Sequence, residues 1–183
     1  MKGKSSTWQD LRPYAGLPVL AAVFLALRWN RLSPTELLLR EVLLIFGYAA
    51  SVKDVREQTV PNRLVLAMLG AWCMILVPQL FVQPETGVSV LAAGGAGALF
   101  AGVVFLTVYF VSRHGLGGGD VKLMTVFGLY LGLNGVVPAM LYGTLLAAAA
   151  GGILILFKKA GPKDAIPLVP FLYTGIVLTL LTR

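Results

Sequence analysis

Long apolar runs alternate with short polar connections along the whole chain. A membrane-spanning helix needs about 20 apolar residues, and the candidate runs approach or exceed this length. They cover Tyr14–Trp29, Pro34–Val52, Leu64–Val82, Val88–Ser112, Val121–Leu133, Gly135–Phe157 and Ile166–Thr182. Arg40 and Glu41, inside the second run, are expected near a membrane interface, because a charge at the bilayer centre costs about 2.5–3.5 kcal/mol. The pattern predicts an all-α fold, a polytopic membrane helix bundle with about six core transmembrane helices plus one N-terminal helix.

The predicted organisation has two parts. Residues 1–34 form an N-terminal tail and a first membrane helix, and residues 35–183 form the membrane-embedded core. The first helix follows Lys2 and Lys4 as in a signal peptide, but the segment after it lacks the small residues of a cleavage site. We therefore expect this helix to stay uncleaved.

Composition and charge support a membrane location. Hydrophobic residues make up 57% of the chain and charged residues 13%, compared with about 25% charged residues in soluble domains. The net charge of +7 could suggest nucleic-acid binding, but most basic residues lie in short connections between apolar runs. With a cytoplasmic N-terminus, these connections satisfy the positive-inside rule. The distribution argues against nucleic acid as a partner and predicts a multi-pass protein of the inner (cytoplasmic) membrane.

Two of the acidic residues, Asp54 and Asp120, each lie beside an apolar run at a predicted helix end. Two predicted crossings separate them, which returns the chain to the same face of the membrane, so the two carboxyl groups can meet. Such a pair suits an aspartyl protease, because two nearby carboxylates do not easily both ionise and therefore share a proton. The ionised group takes a proton from water, and the protonated group donates to the scissile carbonyl.

This chemistry needs no metal or other cofactor, and none is predicted. The chain has one cysteine, Cys73, and one histidine, His114, which excludes a multi-cysteine zinc site and an intramolecular disulfide. His114 lies beside the glycine-rich run that precedes Asp120. A position near the lipid headgroups is favoured for it over a role in proton transfer.

The residues by themselves leave other interpretations open. The glycine-rich run, residues 115–119, allows close backbone approach of an extended substrate, but a flexible loop with a helix-capping Asp120 explains the same pattern. It is not a phosphate loop, because Gly-Asp-Val-Lys stands where Gly-Lys-Ser/Thr is needed. Asp54 and Asp120 would also suit an ion- or proton-coupled transporter. A non-catalytic subunit of a secretion system would need neither carboxylate.

Three motifs resemble those of the type IV prepilin peptidase family, membrane aspartyl proteases of the Gly-x-Gly-Asp type. Residues 115–123, Gly-Leu-Gly-Gly-Gly-Asp-Val-Lys-Leu, resemble the family's signature. Residues 54–62, Asp-Val-Arg-Glu-Gln-Thr-Val-Pro-Asn, resemble its first aspartate motif, with Val60 in place of the usual isoleucine. Residues 166–171, Ile-Pro-Leu-Val-Pro-Phe, resemble its C-terminal segment. The three motifs follow one another in the family's order.

The resemblance implies a membrane aspartyl endopeptidase that removes the short basic leader of prepilins or pseudopilins at the cytoplasmic face. Asp54 and Asp120 then form the catalytic pair. Motif positions that support the substrate or the site are Pro61, Asn62, Gly117, Gly119 and Lys122. Lys122 either acts on the charge state of a nearby carboxyl group or anchors its helix at the lipid headgroups. Larger family members carry an N-terminal segment with paired cysteines and methylate the new N-terminus. Because this chain resembles a short form without that segment, we expect cleavage without methylation.

Overall fold

The computed structural model describes residues 33–112, 116–157 and 167–182. These residues form α1 (Pro34–Glu57), α2 (Asn62–Val82), α3 (Pro84–Val111), α4 (Gly118–Leu156) and α5 (Val169–Thr182). The described ranges contain no strand, and the all-α prediction is confirmed. The predicted N-terminal helix and the loop carrying His114 lie outside the described residues.

Helices α2, α3 and α4 are each long and apolar enough to cross a membrane. Large apolar side chains on them remain exposed, among them Met74, Phe81 and Phe110. Water would penalise so much exposed apolar surface, whereas lipid accommodates it while the helical hydrogen bonds satisfy the backbone. The prediction of a multi-pass membrane protein is confirmed.

Local sequence explains where α1 begins and ends. The Ser33 hydroxyl accepts a hydrogen bond from the Glu36 backbone N–H, and the Glu36 carboxylate accepts one from the Ser33 backbone N–H, which together form a capping box. Pro34 suits the first turn because no intrahelical partner exists there for an N–H. The helix ends at Gln58, which adopts a left-handed conformation (φ 50°) and donates its N–H to the carbonyl of Asp54. Asp54 therefore lies in the last turn of α1.

Helices α2 and α3 form an antiparallel hairpin held together by small residues. A Cβ on Gly87 would lie 2.8 Å from the Cα of Leu80, and one on Gly94 would lie 3.2 Å from the Trp72 ring. Glycines at such positions let membrane helices approach closely. The hairpin returns the chain to the end of the bundle where α1 finishes, as the predicted pair of crossings requires.

Helix α4 is broken at Gly132, whose φ of 64° and ψ of 175° are not helical. A positive φ of this kind strongly favours glycine. The break lies one residue before the end of the predicted span Val121–Leu133, so the two halves of α4 correspond approximately to the predicted spans Val121–Leu133 and Gly135–Phe157. The first half occupies the centre of the bundle, with buried side chains at Leu123, Met124 and Phe127.

Helix α5 packs antiparallel against the second half of α4. A Cβ on Gly143 would lie 2.8 Å from the Cα of Leu172, and Gly175 lies directly against the carbonyl of Ala139. These close backbone contacts need residues without side chains. They bring the first turn of α5 to the end of the bundle that carries Asp54.

Candidate active site

The Asp54 side chain is buried in the last turn of α1, with 5% of its surface exposed. Its Oδ2 accepts a hydrogen bond of 3.0 Å from the backbone N–H of Val169. The backbone of Leu168 hydrogen-bonds the same carboxyl group. Both donors belong to the start of α5, where backbone N–H groups have no helical partner and favour an anionic acceptor. Asp54 therefore fixes the position of α5 relative to α1.

The C-terminal motif at residues 166–171 explains why α5 begins at this point. Pro167 precedes the helix and Pro170 occupies its second position, so neither proline interrupts an intrahelical hydrogen bond. The carbonyl of Leu168 accepts the backbone N–H groups of Phe171 and Leu172. The N–H groups of residues 168 and 169 then remain available to Asp54.

Asp120 is the third residue of α4 and is partly buried. Its carboxyl group hydrogen-bonds the backbone of Gly117, the residue that caps this helix. An acidic side chain at the third helical position commonly reaches back to the cap in this way. A Cβ on Gly117 would lie 3.1 Å from Oδ2 of Asp120, so a side chain there would press against the carboxylate.

The two carboxyl groups lie at the same end of the bundle, one on α1 and one on α4. They are close enough for their charges to repel each other. Such repulsion favours a pair that holds one proton and one negative charge. The pair can therefore supply a general base and a general acid together.

Lys122 and Asn62 connect the two aspartate motifs. The Lys122 Nζ donates a hydrogen bond of 3.1 Å to Oδ1 of Asn62, and both side chains are exposed. Asn62 is the first residue of α2, and Pro61 caps that helix with its carbonyl accepting from the Leu64 backbone N–H at 3.0 Å. The hydrogen bond thus ties the start of α2 to the first turn of α4.

Gly119 brings the connection between α1 and α2 against the start of α4. A Cβ at this position would lie 3.1 Å from the Cβ of Val60 and 3.3 Å from its carbonyl oxygen. By contrast, a Cβ on Gly118 would meet nothing within 4 Å. The close packing at this point therefore requires glycine at position 119 but not at position 118.

Across residues 33–112, 116–157 and 167–182, no group of three or more histidine, cysteine, aspartate or glutamate side chains is placed to hold a metal ion. The described part of the site offers carboxyl groups, backbone N–H donors and the Lys122 ammonium. These groups suit acid–base chemistry on a bound water molecule.

Comparison with known proteins decides the family. The model of the type IV leader peptidase family matches residues 41–156. The chain belongs to this family. The matched range holds Asp54, Asp120 and Lys122 as well as Pro61 and Asn62. The resemblance recognised from the motifs is therefore confirmed.

Curated relatives within the type IV leader peptidase family are longer than this chain. It is similar to the prepilin leader peptidase/N-methyltransferase of Bacillus subtilis (strain 168), 26% identical over 131 residues, which are 72% of this chain and 50% of that protein. The protein of the same name from Xanthomonas campestris is 30% identical over 131 residues, 72% of this chain and 45% of that protein. The protein of this name from Aeromonas hydrophila is 28% identical over 156 residues, which are 85% of this chain and 51% of that protein. The chain thus spans about half the length of these relatives. No solved structure matches it significantly.

The sequence motifs did not identify the backbone donors of Leu168 and Val169 at this site. The signal was present in the C-terminal motif at residues 166–171, which the family resemblance included but to which no role was assigned. The motif lies beyond the range that the family model matches. The structure connects it to the first aspartate motif through Asp54.

Proposed function

We propose that this chain is a membrane aspartyl endopeptidase that removes the short basic leader of prepilins or pseudopilins, with Asp54 and Asp120 as its catalytic pair. The observation that carries the proposal is that these two carboxyl groups, from separate helices and separate family motifs, lie at one end of the bundle. There the start of α4 packs against the connection that follows Asp54, and the charge of Asp54 acts on Asp120. The names of the relatives, which are prepilin leader peptidases, support the substrate class.

In the proposed reaction, one carboxyl group of the pair is ionised and the other carries the shared proton. The ionised group removes a proton from a water molecule, whose oxygen attacks the scissile carbonyl carbon. The protonated group donates its proton to the carbonyl oxygen as the tetrahedral intermediate forms. Collapse of the intermediate breaks the C–N bond. The carboxyl group that took the proton from water passes it to the leaving amine, and the other carboxylate takes back a proton from a hydroxyl of the intermediate. The roles belong to the pair, because strongly coupled groups titrate together.

The active end of the bundle faces the cytoplasm in this proposal. Lys53, Arg56 and Arg63 lie around the end of α1 and the start of α2, whereas residues 83–87 at the opposite end contain no basic residue. The positive-inside rule places the basic end in the cytoplasm. A basic leader that precedes an apolar helix stays cytoplasmic by the same rule, so its scissile bond lies at the level of the carboxylates.

A transporter is the less favoured function. Broken helices around a site near the membrane midplane would favour transport, and α4 is broken at Gly132. However, Asp120 lies in the first turn of α4, and Asp54 lies in the last turn of α1. The carboxylates are therefore at the helix ends rather than at the break.

The test is leader removal from a prepilin of the host organism, followed by mass determination of its N-terminus. Asp54→Asn and Asp120→Asn should each abolish processing while the protein still inserts into the membrane. Glu57→Gln is the matched control, because Glu57 is an exposed acid one turn beyond Asp54 that pairs with Lys53 at 3.7 Å. Normal processing by either asparagine variant would refute the assignment of the pair.

A further inference from the structure

An apolar groove runs along the membrane part of the bundle between α3 and the second half of α4, with a cavity volume of about 300 Å³. Its walls include Val104 and Val108 of α3 and Met140 and Thr144 of α4. The Thr144 hydroxyl donates to the Met140 carbonyl within its own helix at 2.7 Å. The groove therefore presents an apolar surface that makes no hydrogen-bonding demand on its occupant.

The cytoplasmic end of the groove adjoins the candidate active site. Leu116 and Leu168 line this end. Leu116 immediately precedes Gly117, whose backbone hydrogen-bonds the carboxyl group of Asp120. Leu168 itself hydrogen-bonds the carboxyl group of Asp54. The apolar surface is thus continuous with the segments that hold both carboxylates.

We propose that this groove binds the apolar helix that follows the scissile bond in the substrate. This proposal rests on the proposed function. An extended leader at the carboxylates leads directly to Leu116 and Leu168, and the apolar helix then continues between α3 and α4. The lining residues Phe100 and Val108 of α3 are separated by a helical rise of about 12 Å. This length accommodates about two turns of a substrate helix, with anchoring side chains at i, i+3 or i+4, and i+7.

The groove is accessible to a helix that moves within the bilayer. Its neighbour Val103 on α3 is 61% exposed and Leu141 on its α4 wall is 57% exposed, so the groove opens on the lipid-facing surface. A lipid acyl chain is the alternative occupant. The two occupants can be distinguished, because only binding of a substrate helix would make cleavage at the carboxylates depend on the groove.

The test compares Val104→Trp, which fills the groove, with Val103→Trp, which places the same side chain one residue away on the lipid face. Both are assayed on a host prepilin with its apolar helix and on a peptide with the leader and the first few residues after the scissile bond. Val104→Trp should lower the ratio of kcat/KM for the prepilin to kcat/KM for the peptide by about tenfold, mainly through a higher KM for the prepilin. Val103→Trp should leave this ratio as in the wild type. An unchanged ratio in Val104→Trp would overturn the proposal and leave lipid as the occupant.

Cross-linking decides the matter if Val104→Trp does not fold. Val108→Cys is combined with Cys73→Ser and the inactive Asp120→Asn, and the prepilin carries one cysteine in the first two turns of its apolar helix. A disulfide with Val108→Cys, and none with Val103→Cys in the same background, would support binding of the substrate helix in the groove. Equal cross-linking at both positions, or none, contradicts it. If the wild type removes no leader, the proposed function fails, whereas cross-linking still decides whether the groove binds the helix.

Discussion

The backbone N–H of Val169, the first residue of α5, donates a hydrogen bond of 3.0 Å to Oδ2 of Asp54, 115 positions earlier in the chain. One of the proposed catalytic carboxylates is thus held by a helix that the family's aspartate motifs do not contain. The Ser51 hydroxyl lies 3.5 Å from the Val169 carbonyl, so α1 contacts the backbone of the same residue at a second point. Substitutions at the start of α5 should therefore alter leader cleavage by displacing the Asp54 side chain.

Val169→Pro removes the donor, together with part of the packing of a fully buried side chain. Proline is tolerated in the first turn of a helix because its N–H would have no intrahelical partner. Loss of a hydrogen bond to a charged group costs about 1.5–3 kcal/mol, so kcat should fall at least about tenfold. Val169→Ala is the control, because it removes the same packing but keeps the N–H, and it should retain most of the activity. Equal losses in both variants, measured as kcat for leader removal, would show that packing rather than the donor is responsible.

Gly119→Ala should impair the site, because its Cβ would lie 3.1 Å from the Cβ of Val60. The first turn of α4 must then shift by a few tenths of an ångström, and Asp120 shifts with it. Overpacking of this kind costs about 1–3 kcal/mol, and we expect kcat/KM to fall about tenfold or more. Gly118→Ala adds the same methyl group where nothing lies within 4 Å and should have little effect. Similar kinetics for the two variants would contradict the packing argument.

The hydrogen bond between Lys122 and Asn62 predicts coupling between the two motifs. Asn62→Leu and Lys122→Met should each lower kcat/KM modestly, because an exposed pair contributes at most about 1 kcal/mol. The double variant should be no worse than the poorer single variant, since each change removes the same contact. Asn62→Asp keeps an acceptor for the ammonium and should stay close to the wild type.

Additive losses in this double-mutant cycle would refute the coupling. They would instead favour one of the two roles considered for Lys122 from sequence, an effect on a nearby carboxyl group or an anchor at the lipid headgroups. The cycle therefore separates a contact with Asn62 from functions that Lys122 performs independently.

Bundle packing gives a prediction about stability. Gly97 and Gly128 place the backbones of α3 and α4 in direct contact, whereas a Cβ on Gly95 would meet nothing within 4 Å. Gly97→Ala must separate the two helices, and we expect a loss of about 1–3 kcal/mol in the free energy of unfolding. Gly95→Ala should be close to neutral. Thermal unfolding in detergent compares the two, and equal midpoints would contradict the close contact.

Sequence patterns predicted most of the bundle, because hydrophobic run length reports directly on membrane spans. The runs placed the two crossings between Asp54 and Asp120, and the polar gap at residue 134 divided α4 near its break at Gly132. Other features were not predictable from pattern. The N–H of Val169 is present in any non-proline residue, so residue type did not mark it as a donor to Asp54.

The sequence pattern also did not predict that the Glu41 side chain is buried. Glu41 was expected near a membrane interface, but its side chain is 9% exposed and Oε1 has no hydrogen-bond partner among the described residues. Run length and charge cost locate a residue along the membrane normal. They do not determine which side of the helix faces the other helices, and that is what buries Glu41.

The orientation of the bundle can be tested by cysteine labelling in a Cys73→Ser background. Gln58 at the end of α1 and Ser112 after α3 are both exposed, as is Glu85 in the first turn of α3. The antiparallel hairpin of α2 and α3 puts Glu85 at the opposite end of the bundle from the other two positions. Basic residues surround the end near Gln58, which the positive-inside rule assigns to the cytoplasm.

An impermeant thiol reagent should therefore label Glu85→Cys from outside intact cells. It should reach Gln58→Cys and Ser112→Cys only in inverted membrane vesicles. A membrane-permeant thiol reagent, which should label all three variants, is the control for intrinsic reactivity. Labelling of Gln58→Cys and Glu85→Cys from the same side would mean that α2 does not cross the membrane. Asp54 and Asp120 would then have no reason to share a face, and the proposed catalytic pair would lose its geometric basis.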